Sequence, residues 1–194
     1  MTTTTTTTHE ATKTGDIDIV NALIEAKADV NQVSSYGWTP LTKAAYKGRI
    51  AIVKTLIEAG ADVNQADSCG WTPISCATAN GHLGVVKLLV EARVNVNAVD
   101  DDDWTALHYA ARYGHIDAVK ALIEAGADVN AVDEYDWTAL YGAAQYGHID
   151  VVKALIEVGA DVNYSDCDGN TPLTRAVANG HADIVKALIE AGAK

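Results

Sequence analysis

The side chains best suited to chemistry lie in one segment, DDDDWTALHYAARYGH, at residues 100–115. Four aspartates precede a tryptophan, and His108 and His115 follow. Carboxylates bind hard cations, and histidines and carboxylates are the usual general acids and bases. The segment therefore allows three interpretations: a metal site, a catalytic cluster, or a turn that opens a helix. The positions of the same residue types along the rest of the chain decide among them.

The chain repeats a common pattern every 33 residues. The threonines of this pattern lie at positions 39, 72, 105, 138 and 171, and its glycines at 15, 48, 81, 114, 147 and 180. Histidines follow four of these glycines, at 82, 115, 148 and 181, and aspartates recur at 67, 100, 133 and 166. Such recurrence indicates scaffold residues, because the ligands of a metal must converge on one point.

The recurring aspartates and histidines are therefore interpreted as turn and helix-end residues. Asp100 lies where an aspartate commonly accepts hydrogen bonds from its own backbone, and His115 is expected to hydrogen-bond the neighbouring turn. Asp101 and Asp102 then form a solvated hairpin tip. A weak calcium site at this tip stays open as an alternative, although the segment lacks the glycine and bidentate glutamate of an EF-hand loop. We expect no catalytic residue, no cofactor and no functional metal.

Each repeat contains two short helical segments. In the repeat at residues 100–132, Thr105 is a helix N-cap, and three other repeats place proline directly after this threonine, at the first helical position. Gly114 and Gly126 end the two helices in a left-handed conformation. An isolated helix needs roughly 12 residues to form in water, so neither segment stands alone. Stacking of successive repeats into a solenoid buries their apolar faces.

The strings GWTPLTKAAYKGRIAIVKTLIEAGADVN (37–64) and WTALHYAARYGHIDAVKALIEAGADVN (104–130) closely resemble ankyrin repeats. The resemblance extends over nearly the whole chain and implies an all-α solenoid of stacked helix-turn-helix units with short β-hairpin-like turns. It also implies that His108 braces its turn, because it matches the histidine of the family's Thr-Pro-Leu-His motif. We expect a disordered threonine-rich tail at 1–8 and a single repeat domain at 9–194. That domain holds six repeats, at 9–33 (degenerate), 34–66, 67–99, 100–132, 133–165 and 166–194.

Four positions depart from the family's pattern. Asp103 and Asp136 replace a turn glycine, and Lys27 and Arg93 replace the glycine that follows the second helix. Glycine adopts the left-handed conformation without steric cost. The junctions at Lys27 and Arg93 are therefore expected to be strained by about 1 kcal/mol relative to glycine.

Composition narrows the classes of partner. The chain has 14 lysines and arginines against 26 acidic residues, a net charge of −12, which disfavours nucleic acid and anionic membrane surfaces. It has neither a span of roughly 20 apolar residues nor the apolar stretch of a signal peptide. Its three cysteines, Cys69, Cys76 and Cys167, form no CxxC pair, which indicates a reducing, cytoplasmic location.

The family resemblance implies recognition of a protein or peptide through the hairpin tips and the exposed side of the first helices, without catalysis. Aromatic residues, which interfaces favour, gather at these positions. The candidate partner-binding residues are Tyr36, Trp38, Tyr46, Trp71, Asp101, Asp102, Trp104, Arg112, Tyr113, Glu134, Tyr135, Trp137, Gln145 and Tyr146. The tips of the last three repeats carry nine acids and no base. We therefore expect a partner with basic and apolar side chains.

Several alternatives stay open at this point. The tryptophans before the N-cap threonines either brace their turns or anchor a partner. The resemblance implies that Asn64, Asn97, Asn130 and Asn163 match a position that an asparaginyl hydroxylase modifies in some family members. Two further alternatives are that the chain is an engineered, consensus-like binding scaffold, or that it is the targeting module of a larger enzyme.

The two ends of the repeat array differ from its middle. The first helix carries threonine in place of most of its apolar residues, so we expect it to fray. The last repeat keeps the internal apolar pattern, including Ile184, Leu188 and Ile189, whereas a capping repeat has a polar outer face. We therefore expect end-to-end self-association through this uncapped repeat as a further mode of assembly.

Overall fold

A computed structural model of the protein describes residues 8–194. The chain divides into two compact parts, Met1–Asn95 and Val96–Lys194, here called the N-terminal half and the C-terminal half. The expected disordered tail at 1–8 lies almost entirely outside the described residues. Its last residue, Thr8, is the first residue of helix α1 and is buried.

The N-terminal half contains three helix pairs. Their helices are α1 (Thr8–Thr14), α2 (Ile17–Glu25), α3 (Pro40–Tyr46), α4 (Ile50–Glu58), α5 (Pro73–Ala79) and α6 (Leu83–Glu91). The first helices of the pairs, α1, α3 and α5, pack side by side, and so do the second helices, α2, α4 and α6. Leu41, Leu56 and Leu89 are fully buried between these two layers.

The C-terminal half is built in the same way. Its helices are α7 (Ala106–Arg112), α8 (Ile116–Glu124), α9 (Ala139–Tyr146), α10 (Ile149–Glu157), α11 (Pro172–Ala178) and α12 (Ala182–Glu190). Its first helices pack in the order α7, α9, α11, and its second helices in the order α8, α10, α12. Within residues 8–194 the β content is one bridge, between Val132 and Thr138. The predicted all-α class with only hairpin-like turns is confirmed.

The first helices begin where the recurring threonines predict. The hydroxyl of Thr39 accepts a hydrogen bond from the backbone amide of Thr42 at 3.0 Å, and Thr72, Thr105, Thr138 and Thr171 cap their helices in the same manner. Each bond satisfies one of the amides that a helix start leaves unpaired. The N-caps therefore set where each first helix starts along the solenoid.

Burial compensates for the short length of the helices. Each helix has only seven to nine residues, which is too few for stability in isolation. Leu107, Leu122 and Leu155 are fully buried in the C-terminal half, and each contributes about 1.5–3 kcal/mol by leaving water. The second helices expose lysine and glutamate, as the i,i+4 pair of Lys186 and Glu190 at 3.8 Å shows. The lysine–glutamate rows thus form a solvated surface.

The first helix forms despite its threonines. Ala11 and Thr12 are buried, and the Thr12 hydroxyl donates to the Thr8 carbonyl at 2.7 Å. This bond satisfies the buried hydroxyl group of Thr12. The expected fraying of α1 stays a prediction.

All four departures from glycine adopt positive φ, as expected from the repeat pattern. The angles are 58° at Lys27, 60° at Arg93, 60° at Asp103 and 62° at Asp136. Side chains with a Cβ are disfavoured in this region. The backbone is therefore locally strained at two helix ends, Lys27 and Arg93, and in two turns, at Asp103 and Asp136.

We expect Arg93→Gly to raise the free energy of unfolding by about 1 kcal/mol, because glycine relieves the strain at φ 60°. Lys87→Gly, in the middle of helix α6, is the control and should lower the same quantity by about 1 kcal/mol. Urea denaturation followed by far-UV circular dichroism measures both changes. A loss of stability in Arg93→Gly would contradict the strain.

Candidate functional site

The recurring aspartates organise the hairpin turns, which answers the question raised by residues 100–103. Oδ1 of Asp100 accepts the backbone amides of Asp102 at 3.1 Å and Trp104 at 2.9 Å. The amide of Asp100 in turn donates to the Trp104 carbonyl at 3.2 Å. The aspartates at 67, 133 and 166 make the same pair of Oδ1 bonds. The prediction that Asp100 bonds its own backbone is confirmed.

The second carboxylate oxygen of two turns is satisfied by a buried tyrosine. The Tyr109 hydroxyl donates to Oδ2 of Asp100, and the Tyr141 hydroxyl donates to Oδ2 of Asp166 at 2.9 Å. The Arg175 guanidinium also donates to the Tyr141 oxygen and lies 3.5 Å from Oδ2 of Asp166. Neither tyrosine is among the residues that the sequence predicts for the site. Their only signal is a bulky aromatic three or four residues after the N-cap threonine, where most repeats hold a smaller residue.

Asp166 is ionised in the folded protein. Burial opposes its charge, but hydrogen bonds from Asn170, Tyr141 and Asp168 outweigh this effect and lower its pKa to about 2. Burial, followed by the bond to Asp166, raises the pKa of Tyr141 to about 12. The hydroxyl therefore stays protonated and the carboxylate charged at neutral pH, which is the pairing that the hydrogen bond needs.

Asp133 differs from the other two turn aspartates of the C-terminal half. Among residues 8–194 its buried Oδ2 atom has no hydrogen-bond partner. The position that Tyr109 and Arg175 occupy in their repeats is taken by Gly142 in this one. A missing side chain thus leaves an acceptor unpaired.

Three of the recurring histidines tie their repeats to the preceding one. Nε2 of His82 lies 3.1 Å from the Tyr46 carbonyl, and Nε2 of His148 lies 2.9 Å from the Arg112 carbonyl. His181 makes the same bond to Gln145 at 3.2 Å. At these three positions the predicted contact with the neighbouring turn is confirmed.

His108 braces two turns at once. Its Nδ1 accepts the Thr105 amide at 3.1 Å, completing a capping box, and its Nε2 lies 3.0 Å from the Trp137 carbonyl. An acceptor role at Nδ1 places the proton on Nε2, which therefore donates to Trp137. The turn-bracing role implied by the family motif is confirmed, and the ring is fully engaged.

We expect His108 to make the protein less stable below about pH 6.5. Burial lowers its pKa in the folded state from 6.5. Between the lowered pKa and 6.5, the unfolded chain binds a proton that the folded chain does not, so acidification favours unfolding by up to about 1.4 kcal/mol per pH unit.

His108→Thr is the matched variant for this prediction, because Thr42 and Thr174 occupy the same repeat position and keep the cap. Urea denaturation between pH 7.5 and 5 should give a smaller pH slope in the variant than in the parent. Equal slopes would show that His108 stays unprotonated in both states or is not linked to folding.

The acids of the three tips fall into two groups. Asp100, Asp133 and Asp166 are buried and serve the turns. The other six are exposed, except for the half-buried Asp136, and are Asp101, Asp102, Asp103, Glu134, Asp136 and Asp168. The Glu134 amide donates to the Asp102 carbonyl at 3.3 Å, which joins two neighbouring tips. Partial desolvation and repulsion, first from Glu134 and then from Asp100, raise the pKa of Asp102. A nearby cation would relieve this repulsion.

The indoles of the C-terminal half lie on tyrosines of their own repeats. The ring centroids of Trp104 and Tyr109 are 5.0 Å apart, and those of Trp137 and Tyr141 are 4.9 Å apart in a stacked arrangement. Both indoles are half-buried. They therefore brace the turns with one face. That the other face anchors a partner stays a prediction.

Three tyrosines of this half extend into solvent beside the indoles. Tyr113, Tyr135 and Tyr146 are 50%, 53% and 41% exposed. Tyr135 also lies 6.0 Å from Trp137, centroid to centroid. Gln145, another candidate, is half-buried and its backbone carbonyl serves His181. The structure thus brings most of the predicted C-terminal site residues to neighbouring tips and first helices.

The N-terminal half places its candidates around a groove of about 560 Å³. Tyr36, Trp38 and Lys43 line it, together with His9 and Lys13 of helix α1. Trp38 packs edge-on against Tyr46, with 5.2 Å between the ring centroids, and Lys43 Nζ lies 4.6 Å from the indole.

The remaining candidate of this half is Trp71, which is half-buried. Its amide donates to Asp67 at 3.0 Å. Trp71 thus holds its turn through the backbone, like the tryptophans of the C-terminal half.

No cluster of metal ligands forms in the described part of the chain. No group of three histidine, cysteine or acidic side chains in residues 8–194 has metal-binding geometry. Cys69, Cys76 and Cys167 are free thiols. Burial raises the pKa of Cys76 to about 12, so this thiol is protonated at neutral pH and is a poor nucleophile.

The asparagines proposed as hydroxylation targets join successive repeats. Oδ1 of Asn64 accepts the Asn95 amide at 2.7 Å, and Oδ1 of Asn130 accepts the Asp161 amide at 2.8 Å. Asn97 and Asn163 accept equivalent amides one repeat further on. These residues are exposed, yet their amide oxygens are engaged. Their modification stays a prediction.

The last repeat exposes apolar side chains. Val177 is 61% and Ile189 is 56% exposed, whereas Ile184 and Leu188 are fully buried. Self-association through this surface stays a prediction.

The comparisons with known proteins agree with this architecture. A family model described as ankyrin repeats matches three times, over residues 2–67, 59–133 and 130–194. The comparison with curated proteins found no match. Within residues 8–194, no helix has the length and apolar character needed to cross a membrane. Since the three matches span nearly the whole chain and the twelve helices of residues 8–194 pack as repeated pairs, the chain belongs to the ankyrin repeat family.

Proposed function

We propose that this protein binds a partner protein or peptide through the surface of its C-terminal half and catalyses no reaction. Ankyrin repeats generally serve as protein–protein interaction modules, and the family is typically non-enzymatic. The partner segment carries basic and apolar side chains. Its contact surface, here called the tip surface, consists of the exposed and half-buried side chains of Asp101, Asp102, Trp104, Arg112, Tyr113, Glu134, Tyr135, Trp137 and Tyr146.

The single observation that carries this proposal is the grouping of exposed tyrosines with exposed acids. Tyr113, Tyr135 and Tyr146 expose two-fifths or more of their area, and contiguous exposed apolar groups mark interaction sites. Aromatic side chains supply apolar contact area with little loss of conformational entropy. The acids at Asp101, Asp102 and Glu134 attract a basic segment toward these rings.

We expect Tyr146→Ala to weaken the binding of peptides selected on this chain from a random library by about 1–3 kcal/mol. Tyr164→Ala, a half-buried tyrosine outside the tip surface, is the matched control and should leave affinity unchanged. Isothermal titration calorimetry measures both. Trp137→Ala should weaken binding and also lower stability, because the indole stacks on Tyr141.

The double variant Asp101→Asn/Asp102→Asn separates attraction at a distance from contact. It should mainly slow association and reduce its dependence on salt, because both carboxylates are exposed. Stopped-flow kinetics at two salt concentrations resolves this effect. Unchanged affinity in Tyr146→Ala and unchanged association in the double variant would remove the tip surface from the proposal.

A further inference from the structure

The tip surface contains a guanidinium held between aromatic rings. The Cζ atom of Arg112 lies 5.2 Å from the centroid of Trp104 and 4.9 Å from that of Tyr146. The ring of Tyr113 is 6.0 Å away. These rings come from two successive repeats, so the cage exists only because the repeats stack. Contacts at such distances stabilise a cation without using its N–H donors.

Arg112 has no anionic partner in the part of the chain that the structure describes. The ion pairs within residues 8–194 involve Lys13, Lys54, Arg175 and Lys186. Arg175 is the useful comparison, because it also lies over a tyrosine but donates to Tyr141 and contacts Asp166. Arg112 resembles Arg175 in its ring contacts, but its five N–H donors have no acceptor among residues 8–194.

We propose that the guanidinium of Arg112 binds a carboxylate of the partner, so that the partner segment carries an acidic group next to its basic ones. This inference rests on the proposed function and adds the class of group that the centre of the tip surface accepts. Caging by the rings restricts the orientation of the guanidinium before binding. Its planar fork matches the two oxygens of a carboxylate in a bidentate pair.

The surrounding charge favours a carboxylate over a phosphate. Asp101, Asp102 and Glu134 are exposed on the tips, and repulsion grows with the charge of an incoming anion. A phosphate carries nearly two charges near neutral pH, whereas a carboxylate carries one. Lysine or arginine beside the partner's carboxylate would neutralise the tips. The expected segment therefore contains both signs of charge.

The test uses the full chain and peptides selected on it from a random library. Peptides that bind the parent chain should contain aspartate, glutamate or an essential free C-terminus in addition to basic residues. Replacement of the acidic residue by its amide, or amidation of the C-terminus, distinguishes the two sources of the carboxylate. Loss of the carboxylate that Arg112 binds should weaken binding to the parent chain by about tenfold to a hundredfold.

The matched variants are Arg112→Lys and Arg112→Gln. On Arg112→Gln, removal of the peptide's carboxylate should change affinity by less than about twofold, because the variant has already lost the pair. Arg112→Lys keeps the charge without the planar fork. Removal of the peptide's carboxylate should therefore weaken binding to this variant less than to the parent chain and more than to Arg112→Gln. The thermal midpoint of each variant is the structural control, since the Arg112 carbonyl still accepts the His148 bond.

Three results would overturn the assignment. If the selected peptides bind without requiring a carboxylate, the assignment is refuted while the proposed function stays intact. A strong preference for a phosphoserine peptide over its glutamate counterpart would replace the carboxylate by a phosphate. Failure of every peptide to bind the parent chain would remove the proposed function and this inference with it.

Discussion

Asp166→Ala is expected to lower the free energy of unfolding by about 3 kcal/mol, a larger loss than from any exposed acid. The carboxylate accepts the Asn170 amide at 2.8 Å and the Asp168 amide at 3.0 Å, as well as the Tyr141 hydroxyl. Its removal leaves these donors unpaired and Arg175 without its anion. The network joins the last two repeats. The amides of helices α11 and α12 should therefore lose most of their protection from hydrogen exchange.

Asp168→Ala is the matched control, because Asp168 is exposed two residues further on in the same turn. It should change stability by less than about 0.5 kcal/mol. Urea denaturation gives the total change, and hydrogen exchange locates it. Equal losses in the two variants would mean that the last turn does not depend on the buried carboxylate.

The same network predicts how acid destabilises the protein. The pKa of Asp166 is about 2 in the folded protein and about 3.9 in an unfolded chain. Its contribution is therefore complete above about pH 4 and is lost as the pH falls toward 2. Asp166→Ala should lack this part of the acid transition.

Gly114→Ala is expected to lower the free energy of unfolding by about 2–3 kcal/mol. Gly114 has φ +71°, and a Cβ at this position would lie 2.5 Å from Nδ1 of His148. The ring cannot move aside without losing its bond to the Arg112 carbonyl at 2.9 Å. The substitution thus adds a steric clash to backbone strain.

Gly126→Ala isolates the strain, because its φ is +90° and nothing lies within 4 Å of the added Cβ. It should cost only about 1 kcal/mol. The double variant Gly114→Ala/His148→Ala removes the clash, and its loss should be smaller than the sum of the two single losses. Additive losses would show that the ring and the glycine do not restrain each other.

Local chemistry explains which features were predictable from the sequence. The N-cap at Thr105, the turn formed by Asp100 and the positive φ at Arg93 each depend on a few adjacent residues. Such features recur along the chain because successive repeats meet the same backbone requirement. Periodicity therefore predicted the solenoid of helix pairs and the helix ends, whereas the structural role of His108 was implied by the family resemblance.

The candidate surface was predictable only as a set of positions. The repeat frame correctly placed Tyr113 and Tyr146 near the ends of the first helices and Asp101 at a tip, and the structure shows them exposed. It separated Asp100, which serves the turn, from the solvated tip residues Asp101 and Asp102, but it did not predict that the turn carboxylate is buried. Burial depends on the direction of each side chain within the folded turn.

Contacts between residues that do not recur were decided by the tertiary structure alone. Tyr141 meets Asp166 across 25 positions, and Arg112 meets Tyr146 across two repeats. Among residues 8–194, Oδ2 of Asp133 has no hydrogen-bond partner, and Gly142 stands where Tyr109 and Arg175 stand in their own repeats. Distances between side chains are set by how the helices stack, and a repeating pattern carries no information about the positions at which the repeats differ.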